Sequence, residues 1–192
     1  MPSKNRIKEF GAGEFYHVYN RGVEKRSIFL DRQDYLVFMN LLKKYLLPVE
    51  MMDINNRRAN YFEKIELNAF CLMPNHFHFL LRQHSDRDVT QFMRSLISSY
   101  VAYFNRRHNR VGSLFQDIYK AVRIESNEQL YQVVQYIHLN PINLVENASD
   151  YPYSSFGNEN QLAWISPVPT GYDPARGRTL QSLSGVEGAK AL

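Results

Sequence analysis

Two histidines one residue apart, His76 and His78, open the run His76-Phe77-His78-Phe79-Leu80-Leu81, and far downstream follows Tyr136-Ile137-His138-Leu139-Asn140. On an extended strand, side chains two apart share a face, so His76 and His78 project together while Phe77, Phe79 and Leu81 turn to a core behind them. Neutral imidazole is a common ligand of divalent metals. Two such ligands leave coordination positions for a third protein group, for water and for substrate oxygens. On a helix, Tyr136 and Asn140 stand four apart and present a phenol and a carboxamide on one face. A carboxamide offers a metal a neutral oxygen, and a phenol can act as a covalent nucleophile. Taken alone, a His-x-His on a strand is more often structural. Most of the 13 tyrosines are expected to pack. Tyr136 differs from its rivals Tyr119 and Tyr131 in having the Asn partner and a place on the last core helix.

These residues need elements to position them. Glu14 to Asn20 is aromatic and β-branched and ends at Arg21-Gly22, which reads as a first strand and a turn. Asp31 is an N-cap for a helix carrying Tyr35, Phe38, Met39, Leu42, Tyr45 and Leu46, and Pro48 stops it. The polar, basic stretch 53–58 loops out before a second strand from about Ile65 to Leu72. Pro74-Asn75 turns the chain into the histidine strand, giving an antiparallel hairpin. Asp88 to His108 places Val89, Phe92, Met93, Leu96, Ile97, Tyr100, Val101 and Phe104 on one helical face. Gly112 breaks that pattern. Tyr119 to Ile124 forms a fourth strand, and Ser126 or Asn127 caps a helix from Glu128 to about Leu139, ended by Pro141. The order predicts an α+β fold: a ferredoxin-like β-α-β-β-α-β core with an antiparallel sheet, plus an added C-terminal helix carrying the tyrosine. One domain, residues 1–152, is expected. Residues 153–192, rich in Ser, Gly, Pro and Asn, read as an irregular tail whose last twenty or so residues are mobile.

At 192 residues the chain is long enough for one core of ordinary size. It holds 23 Lys and Arg against 19 Asp and Glu, a formal charge of +4. This is compatible with a polyanionic partner, and the location of the charge says more. Arg21, Lys25 and Arg26 lie beside a glycine turn that lets backbone approach a ligand closely, and are candidate DNA-binding residues. Arg106, Arg107 and Arg110 end the second helix and are candidates of the same kind, although cations there also suit the helix macrodipole. Arg57, Arg58 and the arm with Lys4, Arg6 and Lys8 add to the total. Interleaved with aromatics, such a surface suits single-stranded or hairpin DNA. His17 shares a strand face with Phe15 and Tyr19, and is either a hydrogen-bonded structural residue or an active-site neighbour. Cys71 is the only cysteine, which excludes an intrachain disulfide and a multi-thiolate metal site. No apolar run approaches the roughly 20 residues of a membrane helix, and Met1 to Arg6 carry no apolar signal stretch. A soluble protein of a bacterial-type cytosol is expected.

Five blocks now stand in order along the chain: His17-Val18-Tyr19-Asn20-Arg21-Gly22, Met73-Pro74-Asn75, His76-Phe77-His78, Gly112-Ser113-Leu114-Phe115-Gln116 and Tyr136-Ile137-x-x-Asn140-Pro141. From about Tyr16 to Pro152 the chain resembles the single-tyrosine transposases of the HUH class, and within it the REP-associated branch. Insertion-sequence members usually carry Gln where Asn140 stands, unlike the REP-associated branch, and Asn is one methylene shorter. The resemblance implies the same ferredoxin-like fold. It implies that His76, His78 and Asn140 hold Mg²⁺ or Mn²⁺ while Tyr136 attacks phosphorus, leaving a 5′-phosphotyrosine and a free 3′-hydroxyl. Rejoining by a hydroxyl then needs no nucleotide cofactor. It also implies recognition of short palindromic repeats as single strands or hairpins, by a monomer or a homodimer. Two other classes share some of these residues. A sequence-specific hairpin-binding protein with weak or lost catalysis would keep the fold and the basic surface. A metallohydrolase of small substrates would need a further carboxylate or histidine near the pair and no tyrosine nucleophile.

Overall fold

The computed structural model describes residues 10–48, 60–158, 162 and 164–168. Strand β1 (Phe15–Arg21) leads through helix α1 (Arg32–Leu46) to the hairpin of β2 (Ile65–Met73) and β3 (His76–Gln83). Helix α2 (Asp88–Arg107), strand β4 (Lys120–Arg123) and helix α3 (Asn127–Leu139) complete the order. The sheet runs β2-β3-β1-β4 and every pairing is antiparallel. This is the expected ferredoxin-like arrangement with one added helix. Local chemistry sets the ends. The Asp31 carboxylate accepts from the Gln33 and Asp34 N–H groups at the start of α1, and of the two candidate caps of α3 it is Ser126 that accepts, from Gln129 N–H.

Strand alternation divides the side chains between two cores. Val18, Phe77, Phe79 and Leu81 face α1 and α2 and pack with Phe38, Phe92, Tyr100 and Phe104. Leu80, Ala69 and Cys71 face the other way and pack under Leu130, Val134 and Ile137 of α3. Burying each of those three α3 residues contributes about 1.5–3 kcal/mol, which docks the helix across β2 and β3. His17, Tyr19, His76 and His78 occupy alternate positions of β1 and β3 on this second face, so the histidines and α3 meet. The register shift between Leu67 and Ala69 changes the parity of β2, so that Ile65 and Leu67 join Phe70 and Leu72 in the first core.

The chain beyond Pro152 does not leave the body at once. Leu72 N–H donates to Tyr153 O, Ser155 N–H to Phe70 O and Ser166 N–H to Leu67 O, so these residues cover the outer edge of β2. Ser154, Ser155, Phe156 and Trp164 are buried. Period-2 or period-3.6 patterning is absent here, because the segment binds through backbone and hydroxyl groups, and the sequence therefore read as tail. The stretch 53–58, the arm before Phe10 and the last twenty residues lie outside the described residues. Among the described residues no helix is long and apolar enough to cross a membrane.

Candidate active site

His76 opens β3 directly after the Pro74-Asn75 turn. Its Nδ1 stands 2.6 Å from Asn75 Oδ1 and its Nε2 3.1 Å from Asn140 Oδ1. Each nitrogen thus faces a carboxamide oxygen, which only accepts, and a neutral ring has one proton for the two; giving it to the shorter contact at Nδ1 leaves a lone pair on Nε2. His78 lies two residues on with its ring centroid 5.0 Å from that of His76, and its Nδ1 is 2.9 Å from His17 Nε2. Both His17 and His78 are buried. Burial lowers the pKa of His17 to about 4, and burial with the charges of His17 and His76 holds His78 well below its usual value. Burial also lowers His76, opposed by its bond to Asn140 and helped by the nearby Arg21 guanidinium. All three rings are therefore neutral near pH 7, the state in which imidazole ligates metal.

Helix α3 carries the other two candidates to this face. Tyr136 places its ring 5.2 Å from that of His78 and 5.8 Å from that of His17, edge-on to both, while staying 50% exposed. Asn140 follows at the end of the helix, four residues on, and its shorter side chain does reach His76. The rivals are elsewhere. Tyr119 is buried in the core of α1 and α2, and Tyr131 is one and a half turns before Tyr136. Tyr19 had no assigned role, yet its ring stacks on His78 at 5.7 Å, and burial and the adjacent Tyr136 raise its pKa. Lys120, paired with Tyr19 across the strands, holds its ammonium 5.8 Å from that ring. Strand alternation puts Tyr19 on the histidine face, but the pairing of β4 that brings Lys120 there is non-local.

Three of the candidate DNA contacts, Arg21, Lys25 and Arg26, stand at the end of the sheet where β1 finishes and β3 begins. Arg21 is the register partner of His76 and is exposed. Beyond it Gly22 is obligatory, since an added Cβ would sit 2.2 Å from Arg26 O. Lys25 stands at φ 61°, its carbonyl held by Asn75 Nδ2 at 3.1 Å. Asn75 thus grips His76 with its oxygen and the basic turn with its nitrogen. The Gly112–Gln116 block docks on the same turn: Val23 N–H donates to Leu114 O and Gln116 N–H to Arg21 O. Arg106 is exposed, and Arg110 lies over the Phe104 ring. Arg107 is engaged within the protein. It pairs with Asp31 at 2.7 Å and with the buried Asp34 at 2.6 Å, tying the end of α2 to the start of α1.

A divalent cation suits the donor set. With the His76 proton on Nδ1, His76 Nε2 and Asn140 Oδ1 bring two lone pairs to 3.1 Å of each other, a spacing that a shared cation would suit. Two ligands at right angles, each ~2.1 Å from an octahedral ion, stand about 3 Å apart. His78 Nε2, whose ring neighbours His76, has no hydrogen-bond partner among the described residues. Among the described residues no group of three or more His, Cys, Asp and Glu is placed to hold a metal. Asn140 Oδ1 beside the two imidazoles makes a set of hard oxygen and nitrogen donors compatible with Mg²⁺ or Mn²⁺.

Residues 50–140 match the model of the family described as IS200-like transposases. No curated protein matches in sequence. Among solved structures, that of a REP-associated tyrosine transposase bound to a REP hairpin is similar with a TM-score of 0.61. The two share 18% identity over 90% of this chain and 93% of that one, a likeness of fold. The matched segment runs from before β2 through both strand histidines to Asn140, so the chain is similar to the IS200-like transposases over the part that carries the candidate site, and its fold is like that of the REP-associated enzyme.

Proposed function

We propose that the protein cuts and rejoins single-stranded or hairpin DNA through a covalent bond to Tyr136. The observation that carries this reading is that one helix sets a half-exposed phenol against His78 and a carboxamide against His76. Tyr136 Oη forms a bond to the scissile phosphorus as the phosphorus–O3′ bond breaks. The phenol loses its proton, and the departing 3′ oxygen gains one. The product is a 5′-phosphotyrosine and a 3′-hydroxyl, and attack by a hydroxyl in the reverse sense restores a phosphodiester and frees the tyrosine. His76, His78 and Asn140 would hold Mg²⁺ or Mn²⁺, which when bound supplies positive charge against the charge gathering on the phosphate. The fixed rings of His17 and His78 position the phenol from one side, and its other side stays open to DNA. Arg21 and the Lys25 turn, at the same end of the sheet, suit the backbone of the strand entering the site. The REP hairpin held by the structural neighbour makes short palindromic repeats the substrate to try first.

Incubation with a labelled palindromic hairpin and Mn²⁺ should give a protein–DNA adduct that survives denaturation. A protein that binds the hairpin and forms no adduct under any divalent ion would leave a DNA-binding role alone.

A further inference from the structure

A hydrogen bond between two neutral imidazoles holds a single proton, and which ring owns it decides what the other nitrogens can do. His17 Nε2 and His78 Nδ1 are 2.9 Å apart, with both rings buried and nearly parallel at 25°. If His17 donates, His78 carries its own proton on Nε2 and cannot bind a cation through it. If His78 donates from Nδ1, its Nε2 is left with a lone pair on the side of His76. We propose that His17 is a positioning residue that accepts the Nδ1 proton of His78 and thereby keeps His78 Nε2 free for a divalent cation. The inference rests on the reading of His78 as a metal ligand.

The other histidine has the same device in a different chemistry. Asn75 Oδ1, which can only accept, stands 2.6 Å from His76 Nδ1, so a hydrogen-bond partner lies behind each ring of the pair. Ligating histidines are commonly oriented by a carboxylate or a carbonyl in this way. At position 17 a carboxylate would have to be buried under α3 beside Leu80 and Tyr136, at a desolvation cost that a neutral imidazole avoids. His17 sits diagonally from His78 across the β1–β3 pairing, where Leu80 is its direct partner, and this offset brings the nitrogen edges of the two rings together in nearly one plane. With its Nε2 engaged by His78, His17 is not itself offered as a ligand.

The first measurement needs no variant. Long-range ¹H–¹⁵N correlation on the metal-free protein should show His78 as the Nδ1–H tautomer. The Nε2–H tautomer in that spectrum would overturn the proposal. The second is Mn²⁺ titration followed by electron paramagnetic resonance. His17→Leu, which offers no acceptor, should bind Mn²⁺ about 10–100-fold more weakly, and His17→Gln, whose amide oxygen accepts, should recover to within a few-fold. A His17→Leu affinity within twofold of wild type in a protein with a native melting curve overturns it as well. Should His17→Leu fail to fold, the tautomer measured on wild type decides. Wild-type Mn²⁺ binding that is indifferent to His78→Ala would instead sink the metal reading of His78, an outcome the tautomer spectrum does not depend on.

Discussion

Tyr136 meets the edges of two buried imidazoles on one side and solvent on the other, so its phenol is held but not enclosed. Removing only the hydroxyl therefore tests chemistry with little else changed. Tyr136→Phe should abolish the denaturation-resistant adduct while binding the hairpin within about twofold of wild type. An adduct that persists in Tyr136→Phe and vanishes in Tyr19→Phe would move the nucleophile to β1. Another residue writes itself into the pH profile. His138 is 3% exposed, stacks on Phe156, and has its pKa lowered by burial to about 3. The unfolded chain binds a proton below about 6.5 that this folded site refuses, so stability declines as pH falls from 6.5 toward 3. For this one group the loss is about 1.4 kcal/mol per pH unit, or about 2 kcal/mol by pH 5. Urea midpoints at pH 7 and pH 5 should separate for wild type and draw closer in His138→Gln. An equal separation in both proteins would show that this ring is not the acid-sensitive group.

Between the helices, charge does what packing does elsewhere. Asp34 is fully buried and accepts from Leu30 N–H, Tyr103 Oη, Arg107 and His108. Burial pushes its pKa up, but these hydrogen bonds outweigh burial and hold it below the usual carboxylate range. Asp34→Ala leaves Leu30 N–H, Tyr103 and His108 without this acceptor while Arg107 keeps Asp31, and should cost on the order of 2–3 kcal/mol, read from denaturant unfolding. A loss below about 1 kcal/mol would mean the cluster is idle. This cluster marks the limit of what sequence reports. Periodicity placed all four strands and three helices, because burial of alternate or every third and fourth residue is a local signal. The spacing of Tyr136 to Asn140 and of His76 to His78 was equally local, and the faces they share are those found. The ion pairs of Arg107 were not legible because its partners lie more than 70 residues away. The double grip of Asn75 and the tie from His17 to His78 also join residues distant in the chain, and no spacing rule reports them.

For the molecule as a whole, the exposed cations decide how it meets a polyanion. Arg21 and Lys25 are exposed at the turn beside His76, and Arg106 is exposed on α2. If each touches a phosphate, its loss should lower the slope of log affinity against log salt by about 0.7 on single-stranded DNA. Arg21→Ala and Arg106→Ala should show this equally on palindromic and scrambled DNA, since phosphate contacts carry no base identity. Unchanged slopes in both variants would route the DNA elsewhere. One feature of the sheet also governs the behaviour of the chain at high concentration. The free edge at β4 is four residues long and bounded by Lys120 and Arg123, whereas the opposite edge, nine-residue β2, is capped by Tyr153, Ser155 and Ser166. A chain cut after Pro152 would present that strand as an open template for its own kind. We expect it to assemble into thioflavin-positive aggregates, while a chain ending at Val168 stays dispersed in light scattering. Tyr153 to Val168 would then be a built-in guard against self-association, and equal solubility of the two truncations would deny it that role.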